Sequence, residues 1–166
     1  EPLPALRTRD LSGARMVLAL DQITDPHNVG AILRTAAAFA VDAVMTTARH
    51  SPAESGVLAK SASGALDLMP IIEVKNLGDA LEEAREEGFQ IVGLDSEGPA
   101  PLDEAVLRAP VLLVLGAEGK GLRQRTRDIC DVLARLDMPG EIKSLNVSNA
   151  AALSLYVTSR AVGRKD

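Results

Sequence analysis

Three segments of this 166-residue chain carry the residue types that chemistry needs. The first is DPHNVGAILR, from Asp25 to Arg34. It offers an amide at Asn28, a bare backbone at Gly30 and a planar guanidinium at Arg34. A helix opening at Asn28 would aim N–H groups and a cation towards one end of the fold, a combination that holds a phosphate. A capping Asn and a surface Arg would satisfy the same spacing. The second segment is LVLGAEGKGL, in which an apolar run enters a turn with Gly116, Glu118, Gly119 and Gly121. Glycines let a ligand approach the backbone closely. The spacing is neither GxGxxG nor a Walker loop. The third is DMPGEIKSLNVSNAAALSLY, where Pro139 and Gly140 turn the chain into Ser144, Leu145 and Asn146. Alanines 150 to 152 then permit close helix packing.

The elements that must position these segments follow from hydrophobic periodicity. Strands are expected at Met16 to Leu20, Ala43 to Thr46, Met69 to Val74, Gln90 to Leu94, Val111 to Leu115 and Asp131 to Leu136. Helices are expected over Asn28 to Ala40, Pro52 to Ser63 and Asn146 to Val162. Another runs from an Asn76 cap to a stop at Gly88, its Glu82, Glu83, Glu86 and Glu87 on the solvated face. Strands alternating with helices predict an α/β domain with a mostly parallel sheet flanked by helices. Ligands then bind beyond the carboxyl ends of the strands. All three segments are expected at such ends.

Composition narrows the function. An apolar fraction of 46% with 25% charged residues fits a soluble globular domain. No apolar run is long enough to span a membrane. One cysteine, Cys130, and two histidines, His27 and His50, give neither a disulfide nor a metal-ligand cluster, so no metal is expected. The net charge of −5 and the absence of Trp argue against nucleic-acid binding by bulk charge or by a stacking platform. The first residue is not Met, and Pro2 and Pro4 read as linker. Residues 1–14 are therefore expected to be a linker from a preceding part of the protein, with the folded domain at 15–166.

As an ordered set, the three segments resemble the SpoU (TrmH-like) branch of the SPOUT RNA methyltransferases. The resemblance runs from about Met16 to Arg164. Within that branch, DQITDPHNVGAILRTAAAF and KSASGA are similar to the bacterial 23S rRNA guanosine 2'-O-methyltransferases. Asp137 stands where the family usually has Pro, and Asn149 where it usually has Val.

The resemblance implies a SPOUT catalytic fold at 15–166 with a C-terminal trefoil knot, a preceding RNA-binding domain joined through residues 1–14, and a homodimer. It implies S-adenosylmethionine held by Gly116, Leu136, Met138 and Leu145. It implies catalytic roles for Asn28, Arg34, Glu118, Ser144 and Asn146. The expected reaction is methylation of a ribose 2'-hydroxyl in RNA, in the cytoplasm. A guanosine of 23S rRNA is the first expected target, and tRNA is the alternative within the class. A silent RNA-binding module of the same fold is a second alternative, against which stand Asn28, Arg34, Glu118 and Asn146 together. A dinucleotide-dependent oxidoreductase is disfavoured by the missing GxGxxG.

Overall fold

The computed structural model describes residues 11–50, 52–65, 69–117, 119–142 and 144–163. The chain alternates strands and helices from β1 (Met16–Asp21) to α5 (Val147–Ala161). Between them lie α1 (Pro26–Ala38), β2 (Ala43–Thr46), α2 (Pro52–Ala62), β3 (Ile71–Glu73), α3 (Leu77–Glu86) and β4 (Gln90–Leu94). Then come β5 (Ala100–Pro101), β6 (Val111–Gly116), α4 (Gln124–Ile129) and β7 (Val132–Arg135).

The seven strands form one sheet in the order β3-β2-β1-β6-β4-β7-β5, with every pairing parallel. β1 and β6 lie inside the sheet, and their apolar residues are buried on both faces, as a covered parallel strand requires. Side chains alternate between two cores. Leu18, Leu20, Leu113 and Leu115 pack with α1 and α5, whereas Val17, Ala19, Leu112 and Val114 pack with α3 and α4.

Element boundaries differ from expectation where caps and prolines intervene. α1 begins at Pro26 and not at Asn28. Asp25 is the cap, its side chain accepting the His27 N–H at 3.1 Å, and a proline at the first helical position loses no hydrogen bond. Asn28 therefore sits in the first turn and does not cap. β3 is shorter than expected, although its hydrogen bonding to β2 extends to the Pro70 carbonyl and the Val74 N–H. α4 was not anticipated, because QRTRDI carries no apolar period. The two-residue β5 and the 3-10 turn Leu102–Glu104 are below the length at which pattern is informative.

α1 lies between α2 and α5 on one face of the sheet. Its contact with α2 is close because Gly30 has no side chain. A Cβ there would meet the Ser61 Cβ at 2.5 Å and the Leu58 carbonyl at 2.6 Å. Gly30 thus serves helix packing, while the helix start is made by Asp25 and Pro26.

Candidate active site

β6 ends at Gly116, and the chain doubles back on itself. The Gly121 N–H donates to the Ala117 carbonyl at 2.8 Å, closing a one-bridge hairpin. Gly119 and Gly121 hold φ values of +80° and +65°, which L side chains rarely adopt. Glu118 lies outside the described residues. The far end of the loop is pinned from beneath by Asp21, the last residue of β1, which is fully buried. Asp21 accepts the Arg123 backbone N–H at 2.9 Å and the Arg123 Nε–H at 2.7 Å. A buried carboxylate is tolerable only with such charge-assisted partners.

This loop forms one wall of a cavity of about 400 Å³ at the carboxyl edge of the sheet. Leu115 and Gly116 reach it from β6, Leu94 from β4 and Leu136 from β7. Met138, Ser144, Leu145 and Val147 close it from the segment leading into α5. All four residues expected to hold a cofactor, Gly116, Leu136, Met138 and Leu145, therefore line one cavity, together with Ser144. Apolar walls, a backbone-rich loop and a few polar groups are the makings of a cofactor site.

The other expected residues lie elsewhere. Asn28 is half-buried, its amide donating to Asp25 at 3.5 Å. Arg34 is exposed, with no ion pair among the described residues. Six residues at 3.6 per turn put Asn28 and Arg34 about 120° apart on α1, so they do not share a helix face. Asn146 caps α5, its Oδ1 accepting the Ser148 N–H at 2.9 Å and the Ser148 hydroxyl at 2.6 Å. None of the three lines the cavity.

Residues 15–156 match the SpoU rRNA Methylase family. The chain belongs to this family. The 23S rRNA (guanosine-2'-O-)-methyltransferase RlmB of Xylella fastidiosa is 46% identical over 148 residues, which is 89% of this chain and 59% of that protein. This chain thus spans under two thirds of the length of such relatives. The SpoU methyltransferase AviRb from Streptomyces viridochromogenes, solved with AdoMet, aligns with a TM-score of 0.81. Its identity is 28%, over 95% of this chain and 62% of that one. The A. aeolicus TrmH/SpoU tRNA modifying enzyme aligns with a TM-score of 0.75 at 27% identity, over 88% of this chain and 74% of that one.

Membership of the SpoU family does not by itself point to the ion pair that the structure places in the cavity wall. Asp95, one residue past β4 and 8% exposed in its side chain, binds Arg127 of α4. Sequence reasoning missed both pinned carboxylates. Their signal was an Asp directly ending an apolar run, at Asp21 and at Asp95. Their cationic partners were illegible because α4 was.

Cys130, at the end of α4, fills space against Gly93, where a Cβ would meet its Sγ at 2.7 Å. Burial, aided by Asp131, pushes the thiol from 9.0 up to about 12. The folded thiol stays protonated where an unfolded one ionises, so stability should fall as pH rises from about 9 towards 12. At pH 8 the native protein should react with a disulfide reagent at least tenfold more slowly than the urea-unfolded chain. Equal rates would overturn this.

Proposed function

We infer that this chain catalyses methyl transfer from S-adenosylmethionine to a ribose 2'-hydroxyl of RNA, with a guanosine of 23S rRNA as target. The carrying observation is the single cavity on which the Gly116 loop and the Leu136–Val147 segment converge. It fits the cofactor chemically. Leu94, Leu115 and Leu136 offer apolar surface to a purine or a thioether, and the glycine loop offers backbone groups. Glu97 adds a carboxylate at the same wall for a cationic group. Gly116, Leu136, Met138 and Leu145 would hold the cofactor, which supplies an electrophilic methyl group on a sulfonium.

The chain's own residues then have to present a hydroxyl that is barely ionised at neutral pH. Arg34 is free of carboxylate partners among the described residues and is available to hold the neighbouring phosphate. An arginine does not act as a free base, since it stays protonated. It stabilises negative charge as the proton leaves to that phosphate or to water. Glu118 is assigned to orienting Arg34, and Asn28, bonded to Asp25 in the first turn of α1, to orienting the ribose. Ser144 at the cavity, with Asn146 fixing the start of α5, shapes the passage between cofactor and substrate.

The same reading includes a C-terminal trefoil knot, a cytoplasmic location, a preceding RNA-binding domain and a homodimer. Support for the homodimer comes from α5. Leu153 and Tyr156, 50% and 53% exposed, lie three residues apart and so on one face, beside Phe39 of the α1 cap at 6.2 Å. A twofold axis through that face is the default solution for such a patch.

Calorimetry tests the cofactor directly. One S-adenosylmethionine should bind per chain, with an affinity unchanged by chelator, because no step needs a metal. Absence of binding by both S-adenosylmethionine and S-adenosylhomocysteine would overturn the reading. Mapping 2'-O-methylation in rRNA and tRNA, with and without the protein, decides the substrate.

A further inference from the structure

A second cavity, of about 480 Å³, opens at the same sheet edge on the other side of β1. Leu20 of β1 is in register with Thr46 of β2 on one side and with Leu115 of β6 on the other. The two cavities therefore flank a single strand. Neighbouring strands are about 4.8 Å apart, so β2 and β6 are separated by about 10 Å, a span that one nucleoside can bridge. Val29 and Leu33 of α1, Leu58 of α2 and Val44 give the second cavity apolar walls.

Its polar groups are few and specific. Arg49 and Glu73 form an ion pair with Nε 3.0 Å from Oε1, and both line the cavity. The guanidinium is exposed at 67% and the carboxylate half-sheltered at 26%. This single contact leaves the second Glu73 oxygen and the terminal nitrogens of Arg49 without partners among the described residues. His50 also lines the cavity, and neither of its buried ring nitrogens has a hydrogen-bond partner among the described residues. Buried polar atoms are normally paired, so an orphaned ring in a cavity wall marks a site whose hydrogen bonding the protein alone does not complete.

We propose that this cavity receives the guanine base of the substrate RNA, with Glu73 and Arg49 reading its edges and the His50 ring supplying a further hydrogen bond to the nucleotide. The proposal rests on the RNA methyltransferase reading above. Guanine presents two donors side by side, N1–H and the 2-amino group, which a carboxylate accepts together. Its O6 and N7 are the acceptors that an arginine grips bidentately. Adenine offers a bare N1 acceptor at the same edge, and uracil only one donor. A carboxylate beside a guanidinium therefore selects guanine among the four bases. The base would sit over β2 and β3, which puts its ribose near β1, on the side of the first cavity.

The test uses this 166-residue chain, which carries two histidines. Their imidazole proton signals can be told apart with His27→Gln. Guanosine monophosphate should shift the His50 signal saturably, and adenosine and uridine monophosphates should do so at least tenfold more weakly. Glu73→Gln should cut the preference for guanosine over adenosine monophosphate by about tenfold or more, with S-adenosylmethionine affinity unchanged. Should Glu73→Gln fail to fold, Arg49→Met at the exposed partner reports in its place. RNA with inosine at the target, lacking only the 2-amino group, should be methylated about tenfold more slowly by the wild type and without that penalty by Glu73→Gln. An unmoved His50 signal, or equal response to adenosine monophosphate, overturns the proposal. So does guanosine monophosphate binding with no inosine penalty, which would assign the cavity to a free nucleotide. If no RNA is methylated at all, the activity reading falls, and the nucleotide titration still decides whether the cavity takes guanine.

Discussion

Gly116→Ala should lower S-adenosylmethionine affinity by at least tenfold and destabilise the domain by about 1–3 kcal/mol. The added methyl would lie 2.3 Å from the Gly121 carbonyl carbon, 2.5 Å from its oxygen and 2.6 Å from the Leu122 nitrogen. All three are backbone atoms, so no rotamer change relieves the clash. The loop cannot retreat easily. Its near end is tied by the Ala117–Gly121 hydrogen bond, and its far end by Leu122 in the core and by Arg123 on Asp21. Whichever tie breaks, the wall of the first cavity moves. Gly140→Ala is the control, because a Cβ there meets nothing within 4 Å. Thermal unfolding and calorimetry on both variants decide the matter. A Gly116→Ala protein that binds the cofactor like Gly140→Ala would remove the loop's closed hairpin from the account of the site.

Gly116 was singled out because glycine permits a ligand near the backbone. In the structure, the atoms that crowd its missing Cβ belong to its own loop. The residue was found for a reason that only partly explains it. The sheet was more directly legible, because runs such as Val111 to Leu115 are apolar throughout and only a doubly covered strand requires that. Leu136, Met138, Ser144 and Leu145 meet Gly116 only through the three-dimensional path of the chain, which spacing does not encode, so the family resemblance supplied them. The Arg49–Glu73 pair was out of reach for the same reason. Its members lie on the loop after β2 and at the end of β3, and only the parallel register of those strands brings them together. Asp21 and Asp95 carry no signal in the sequence beyond ending an apolar run. Burial of the first and near-burial of the second is what separates them from acids such as Glu82 and Glu86 on the solvated face of α3.

Arg34→Ala should reduce methyl transfer by about 10²–10³-fold while leaving S-adenosylmethionine affinity within a few-fold of wild type. The second half of the prediction follows from position. Arg34 is exposed on α1 and does not line the cofactor cavity, so its loss removes nothing that touches the cofactor. The first half follows from charge. In a chain of net charge −5, a cation without a carboxylate partner among the described residues is a ready site for a phosphate. A donor that is already oriented when charge develops on the ribose oxygen costs no reorganisation during reaction, and this is where the rate factor originates. Arg34→Lys should restore little, because an ammonium cannot span a phosphate as the planar fork does. Solvent exposure makes a folding defect improbable as an explanation, since surface substitutions usually change stability by less than about 0.5 kcal/mol. Single-turnover methylation at saturating RNA and cofactor isolates the chemical step from binding. A variant within a few-fold of wild type would make Arg34 a surface residue. The burden of stabilising the 2'-oxygen would then pass to Asn28 and Ser144, the latter already at the cavity wall.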